Sequence, residues 1–209
     1  MNSRLNSIAV LAAMLLAVQA HAESLVEGSA EAGKARALTC TACHGQEGNS
    51  VNPLWPNIAG QNATYTVAQL KAFKAGDRQD PLMTPQAMLL SDEDINNLAV
   101  YFEGLPSPAM PVDNASTVAK GEALYRGGDS SGGVTACLAC HGPTGRGNPA
   151  ANYPAIQGQH ATYTAKQLRD YASGNRTTDG TTRIMRDIAE NLGSDDIQAL
   201  ASYIQGLRQ

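Results

Sequence analysis

Cys40-Thr41-Ala42-Cys43-His44 and Cys137-Leu138-Ala139-Cys140-His141 are two copies of one pentapeptide, and together they hold all four cysteines of the 209-residue chain. Two thiols three residues apart on a helical turn can add to the two vinyl groups of one haem, while the histidine that follows places its imidazole under the iron. Each copy therefore reads as a c-type haem attachment motif, with Cys40, Cys43, Cys137 and Cys140 as thioether candidates. The same spacing also suits a redox dithiol, and two such pairs could give four thiolates to one zinc ion. The histidine after each pair, and a methionine trailing each, favour haem. A thioredoxin-like dithiol also lacks the βαβ pattern expected around it.

A haem iron held by one histidine has a second axial position. Beyond the first 22 residues the second half offers a single methionine, Met185, whereas the first offers Met83, Met88 and Met110. Met83 lies 12 residues before Ile95 and Met185 lies 12 before Ile197, each at the start of a matching apolar helix. Met88 falls opposite Glu190 and Met110 in a proline-rich stretch, so the pairs are His44 with Met83 and His141 with Met185. A proximal histidine also needs its other ring nitrogen held by a carbonyl or carboxylate. Pro56 and Pro154 are candidates to supply that carbonyl, though prolines there could equally serve only to turn the chain.

The elements that position these residues also come in pairs. Pro56 to Thr66 matches Pro154 to Thr164 at an offset of 98, including a Pro-x-Ile-x-Gly-Gln element; the pentapeptides are offset by 97 and the closing helices by 102. Such small drift marks a duplicated domain. Each half opens with a short helix carrying a mid-helix glycine, Gly33 or Gly121. A glycine there costs up to about 1 kcal/mol relative to alanine, which a close helix crossing would explain. Ser29 or Gly28 is expected to cap the first of these helices, and Ser116 or Thr117 the second. A middle helix follows the Gly-Gln element and stops at Gly76 or Gly174, just before Arg78 or Arg176. Those arginines read as solvated surface or as partners for haem propionates. The methionine stretch reads as irregular. The closing helices repeat apolar residues at i, i+3, i+4 and i+7, from Ile95 to Phe102 and from Ile197 to Ile204, behind serines and a run of acids. Gly127 to Gly133 reads as a flexible surface loop, and His160, aligned with Asn62, as a surface residue. No strand pattern persists, so the fold class is all-α, in two tandem domains. The expected boundaries are 1–22 for a signal peptide, 23–105 for the first domain, 106–115 for a proline-rich linker and 116–209 for the second domain.

Residues 1–22 combine one positive charge, Arg4, with an apolar run from Ile8 to Val18 and the small-x-small site Ala20-His21-Ala22. This is the pattern of a secretory signal cleaved after Ala22, which places the mature protein in the periplasm. The ten aromatic residues are few for two cores, and a flat apolar cofactor in each half would supply missing mass. From Glu23 to Val112 there are ten acidic and five basic residues, a net of −5, whereas Asp113 to the end is neutral with nine of each. No basic stripe suggests nucleic acid.

With CxxCH, Pro-x-Ile-x-Gly-Gln, a downstream methionine and a closing amphipathic helix in each half, the chain resembles the dihaem cytochromes c of the cytochrome c4 family from about residue 28 to its end. The resemblance implies two class I cytochrome c domains, each with one of two covalently bound haem c groups under His/Met ligation. It also implies a periplasmic electron carrier, associated peripherally with the membrane, between quinol-cytochrome c reductase and a terminal oxidase. Two filled axial positions leave no place for oxygen or peroxide, so one-electron transfer without a small-molecule substrate is expected, and no enzyme activity. A dihaem peroxidase would instead need one open iron with a distal acid or base, for which His160 is the one spare histidine after residue 22. A cytochrome subunit of a larger complex would share all of this site chemistry.

Overall fold

The computed structural model describes residues 24–208, so the expected signal sequence lies outside the described residues. In each half a CxxCH turn is placed beside a crossing of two helices. The first half contains α1 (Ala30–Arg36), α2 (Thr41–His44), α3 (Ala63–Ala75), α4 (Met83–Met88) and α5 (Asp92–Glu103). The second repeats the order with α6 (Val118–Gly127), α7 (Leu138–His141), α8 (Ala161–Ala172), α9 (Ile184–Ala189) and α10 (Ser194–Gly206). Among the described residues the only β-structure is two isolated bridges. The all-α reading holds.

The closing helices organise both cores. Ile95, Leu98 and Phe102 of α5 gather Ala37 and Leu90, and Leu200, Tyr203 and Ile204 of α10 gather Tyr125 and Leu207. A capping box starts α5: Ser91 Oγ accepts from the Asp94 amide at 3.0 Å, and an Asp94 carboxylate oxygen accepts from the Ser91 amide at 2.9 Å. In α10 the cap position is Gly193 rather than a serine, with Ser194 the first helical residue. There the Asp196 carboxylate accepts from the Gly193 amide at 3.0 Å, the same bond that Asp94 makes in α5, without the hydroxyl's half of the box. At the opening helices Ser29 caps α1 by accepting from the Ala32 amide, whereas Thr117 sits at the α6 cap without capping it and donates its hydroxyl to Asn114 O instead.

Both glycines sit where the helices cross. A Cβ on Gly33 would fall on the Asn97 carbonyl oxygen and 2.7 Å from Tyr101 Cβ, and one on Gly121 would fall on the Ala199 carbonyl oxygen and 2.7 Å from Tyr203 Cβ. Contact with backbone cannot be relieved by a rotamer change. Gly121→Ala should therefore destabilise the protein by about 3 kcal/mol through overpacking, measured as a lower denaturant midpoint. A stability equal to the parent's would show that the α6–α10 crossing is looser than described.

Two expectations about connecting segments change. The methionine stretches are short helices rather than irregular chain, and Pro85 is compatible with α4 because it lies in the first turn, where its missing N–H costs nothing. The stretch after α6 is not an open loop but a tight hairpin: Asp129 and Val134 exchange backbone bonds of 2.8 Å. The Asp129 carboxylate also accepts from the Ser131 and Gly132 amides, and Val134 is buried beneath. The proline-rich segment between the halves is likewise tied down. Ser202 Oγ bonds both the amide and carbonyl of Asn114, and Gln205 Nε2 donates to Pro111 O at 2.9 Å. No helix among the described residues is long and apolar enough to cross a membrane.

Candidate functional site

The CxxCH turns fold as their spacing demands. Cys40 and Cys137 occupy the positions before α2 and α7, and the His44 and His141 amides close the turn on the Cys40 and Cys137 carbonyls at 2.9 Å. One helical turn brings Cys43 and Cys140 to the same side as the first thiol of each pair. Gly45 and Gly142, at φ of 79° and 75°, then reverse the chain with a conformation that a side chain would strain.

None of the four thiols is paired in a disulfide. Burial pushes the Cys137 thiol up to about 11 and also raises Cys40. A reactive dithiol needs the opposite, a thiol whose pKa is depressed. Among the described residues no three His, Cys, Asp or Glu side chains converge as a metal-holding group, so the two CxxC pairs do not meet around one zinc.

Both histidine rings are held alike. His44 Nδ1 donates to Pro56 O at 2.8 Å, and His141 Nδ1 donates to Pro154 O at 3.0 Å. Burial lowers the pKa of both imidazoles, against the opposing pull of the proline carbonyls, so each ring is neutral around pH 7. With Nδ1 carrying the proton, Nε2 keeps its lone pair for a metal. The residues present therefore fit a haem iron, and both prolines supply carbonyls as well as turns.

Met83 opens α4, its amide held by the Asp80 carboxylate at 3.0 Å, and Met185 is the second residue of α9. Both are half-buried, whereas Met88 is 64 % exposed and stands apart as surface. Met110 receives a bond from Asn57 Nδ2 to its sulfur at 3.5 Å, which occupies it in the contact between the halves.

That contact contains the side chains the sequence placed least well. His160 is buried, not superficial: its Nε2 lies 2.8 Å from Ser50 O of the other half. The arginines are not solvated either. Arg78 donates to Gln69 Oε1 in its own half and to Tyr163 OH and Gln167 Oε1 in the other, each at 2.9 Å. Arg176 mirrors it, donating to Gln167 Oε1, Tyr65 OH and Gln69 Oε1. Asn62 and His160 hold the cap positions of α3 and α8 but turn their side chains across the boundary, Asn62 toward Tyr153 O at 2.8 Å. Their capping duty passes to Glu103 and Gln205, which accept from the first amides of α3 and α8 at 2.8 Å. A polar residue at a cap, together with a polar residue at the end of the closing helix, was a readable signal for that exchange.

With this geometry in place, comparison with known proteins is specific. The model of the family described as Cytochrome c matches residues 30–106 and again 118–208. Cytochrome c4 of Stutzerimonas stutzeri is 44% identical over 207 residues, covering 95% of this chain and 98% of the relative. The crystal structure of reduced recombinant cytochrome c4 from Pseudomonas stutzeri superimposes with a TM-score of 0.85 at 44% identity, covering 87% of this chain and 100% of that one. A thiosulfate dehydrogenase electron acceptor from a strain of Stutzerimonas stutzeri is 34% identical over 97% of this chain and 94% of its own length.

Proposed function

The chain belongs to the cytochrome c4 family and is a dihaem electron carrier with two covalently attached haem c groups, and from that premise we propose how its own residues serve them. Cys40 and Cys43 form the thioethers of the first haem, with His44 and Met83 as its axial ligands. Cys137 and Cys140 attach the second, with His141 and Met185. The observation that supports this assignment is the matched pair of histidines, each with Nδ1 on a proline carbonyl, each with one half-buried methionine at the same place in the repeat. Each haem, when bound, supplies one-electron chemistry at its iron. The protein holds the ring plane, fixes the tautomer and fills both axial positions, which leaves it a carrier without substrate turnover.

We place the protein in the periplasm after cleavage at Ala22, peripherally at the membrane, passing electrons from quinol-cytochrome c reductase toward a terminal oxidase. The relative named as an electron acceptor of thiosulfate dehydrogenase makes such a dehydrogenase the second candidate donor. Potentiometric titration of the purified protein should resolve two one-electron steps between six-coordinate haems. Five-coordinate haem with turnover of peroxide would replace the carrier reading by an enzymatic one. The first half, at a net charge of −5, is expected to dock on a basic partner face. Its electron-transfer rate should then fall by about tenfold or more from low to high ionic strength, and a rate independent of salt would reject that docking mode.

A further inference from the structure

The Pro-x-Ile-x-Gly-Gln stretch ends in a glutamine in each half, and each glutamine reaches out of its own half. Gln159 Oε1 accepts from the Asn57 amide at 2.9 Å, and its Nε2 donates to Asn57 O at 2.8 Å. Gln61 does the same in reverse: its Oε1 accepts from the Ala155 amide and its Nε2 donates to Ala155 O, both at 2.8 Å. Each Oε1 also accepts from the amide of the following residue, Asn62 or His160.

The residues gripped are the ones directly after Pro56 and Pro154. The Asn57 N–H and the Pro56 C=O are two ends of a single peptide group, and that carbonyl is the acceptor for His44 Nδ1. Likewise the Ala155 N–H and the Pro154 C=O share the peptide that holds His141 Nδ1. A continuous path of hydrogen bonds therefore runs from the glutamine of one half, through one amide, to the proximal histidine of the other. Around it the halves have diverged. Asn57 sends its side chain to Gly158 O, which Ala155 cannot match, and Asn62 and His160 choose different partners. The glutamine grip is repeated bond for bond.

We propose that Gln61 and Gln159 are crossed positioning residues, Gln159 for the first haem and Gln61 for the second, each tuning the proximal histidine that the opposite half carries. This rests on His44 and His141 being the axial ligands. When Oε1 accepts from the amide N–H, electron density moves toward the carbonyl oxygen of that amide, which becomes a better acceptor. Hydrogen bonds in such a chain strengthen one another by roughly 10–30% each. A stronger Nδ1–H···O=C bond makes the imidazole more basic and a better donor to iron, which favours the ferric form and lowers the potential. The Nε2 bond to the next carbonyl fixes the peptide plane at a second point. Docking of the halves thus sets the ligand strength at both irons.

The test uses the full-length dihaem protein. Each haem is followed by NMR during redox titration, with the first haem assigned through the iron-bound methionine methyl signal that Met83→Ala removes. Gln159→Met keeps the length of the side chain and removes both polar atoms. It should raise the ferrous-to-ferric ratio of the first haem about threefold at fixed potential, roughly 28 mV at about 59 mV per decade for one electron. The second haem should stay unchanged, although Gln159 belongs to its half. Gln61→Met should give the mirror image. Solvent exchange of the His44 Nδ1 proton should quicken in Gln159→Met and that of His141 should not. A shift in the haem of the same half, or equal shifts in both, overturns the proposal in favour of a merely structural grip. Should Gln159→Met fail to fold, Gln159→Glu keeps an acceptor for the Asn57 amide. It should lower the first haem's potential by more than the second's; equal lowering would be the field of the added charge alone. A wrong ligand reading shows separately, as a methyl signal that survives Met83→Ala.

Discussion

Met83→Ala should abolish the iron–sulfur absorption of one haem and Met185→Ala that of the other, each leaving its neighbour intact. The thioether is the softer axial ligand and raises the potential, so its loss should lower the affected haem by 0.1 V or more, roughly, within a range of about 0.8 V that axial ligands span. The open position should then take up carbon monoxide or peroxide, which a filled axial position would exclude. Met83 is anchored by Asp80, which accepts from the amides of Leu82 and Met83 at 2.9 and 3.0 Å and so fixes the first turn of α4. Met88, at the far end of the same helix and 64 % exposed, provides the control. Met88→Ala should leave both spectra unchanged. An unaltered spectrum in Met83→Ala or Met185→Ala would remove that ligand assignment.

Arg176→Leu should cost about 3 kcal/mol, because it removes bonds to four oxygens at roughly 0.5–1 kcal/mol each, of which Gln69 and Gln167 keep a bond from Arg78. Arg176 is only 5% exposed. Its guanidinium lies 4.6 Å from the Tyr171 ring centroid and donates to Tyr65 OH and Gln69 Oε1 of the other half, and to Gln167 Oε1 and Thr178 Oγ1 of its own. Leucine can fill the volume but cannot satisfy any of those oxygens. For a chain of this size the loss corresponds to a fall in Tm on the order of 10 °C. Because two of the acceptors lie across the boundary, the calorimetric transition should also broaden or split as the halves uncouple. Arg78, half-buried in the mirrored position, should be less costly to replace. A Tm within a degree of the parent's would mean that Arg176 is not what joins the halves.

What the sequence could reveal was local. CxxCH spacing, glycine stops and i, i+3, i+4 apolar patterns act within one or two turns of chain, and the duplication doubled every signal. It also picked Met83 and Met185 out of four methionines beyond residue 22. The residues misread, and Gln159, to which no role was given, act at long range. His160 bonds a residue 110 positions away, Arg176 one 111 away, and Gln159 one 102 away. A lone polar side chain carries no mark of burial by a partner that distant, so histidine and arginine default to surface. The repeat did hold a clue that went unused. A histidine and an asparagine at equivalent helix caps, each facing a nearly identical partner segment, suggest that the two segments face each other.

The mutual grip of Gln61 and Gln159 has the form of an isologous contact, in which one patch meets its own copy across a twofold axis. Two separate chains would make the same contact as a homodimer, at a strength limited by their concentration. Here the tether replaces dilution by an effective concentration in the millimolar range for short linkers. It also removes the obligation of identity, since a change in one half no longer appears in both. Asn57 opposite Ala155, and Asn62 opposite His160, are instances of that release. A fused dimer can thus keep its axis while giving its two redox centres different surroundings, something a symmetric pair of identical subunits cannot do.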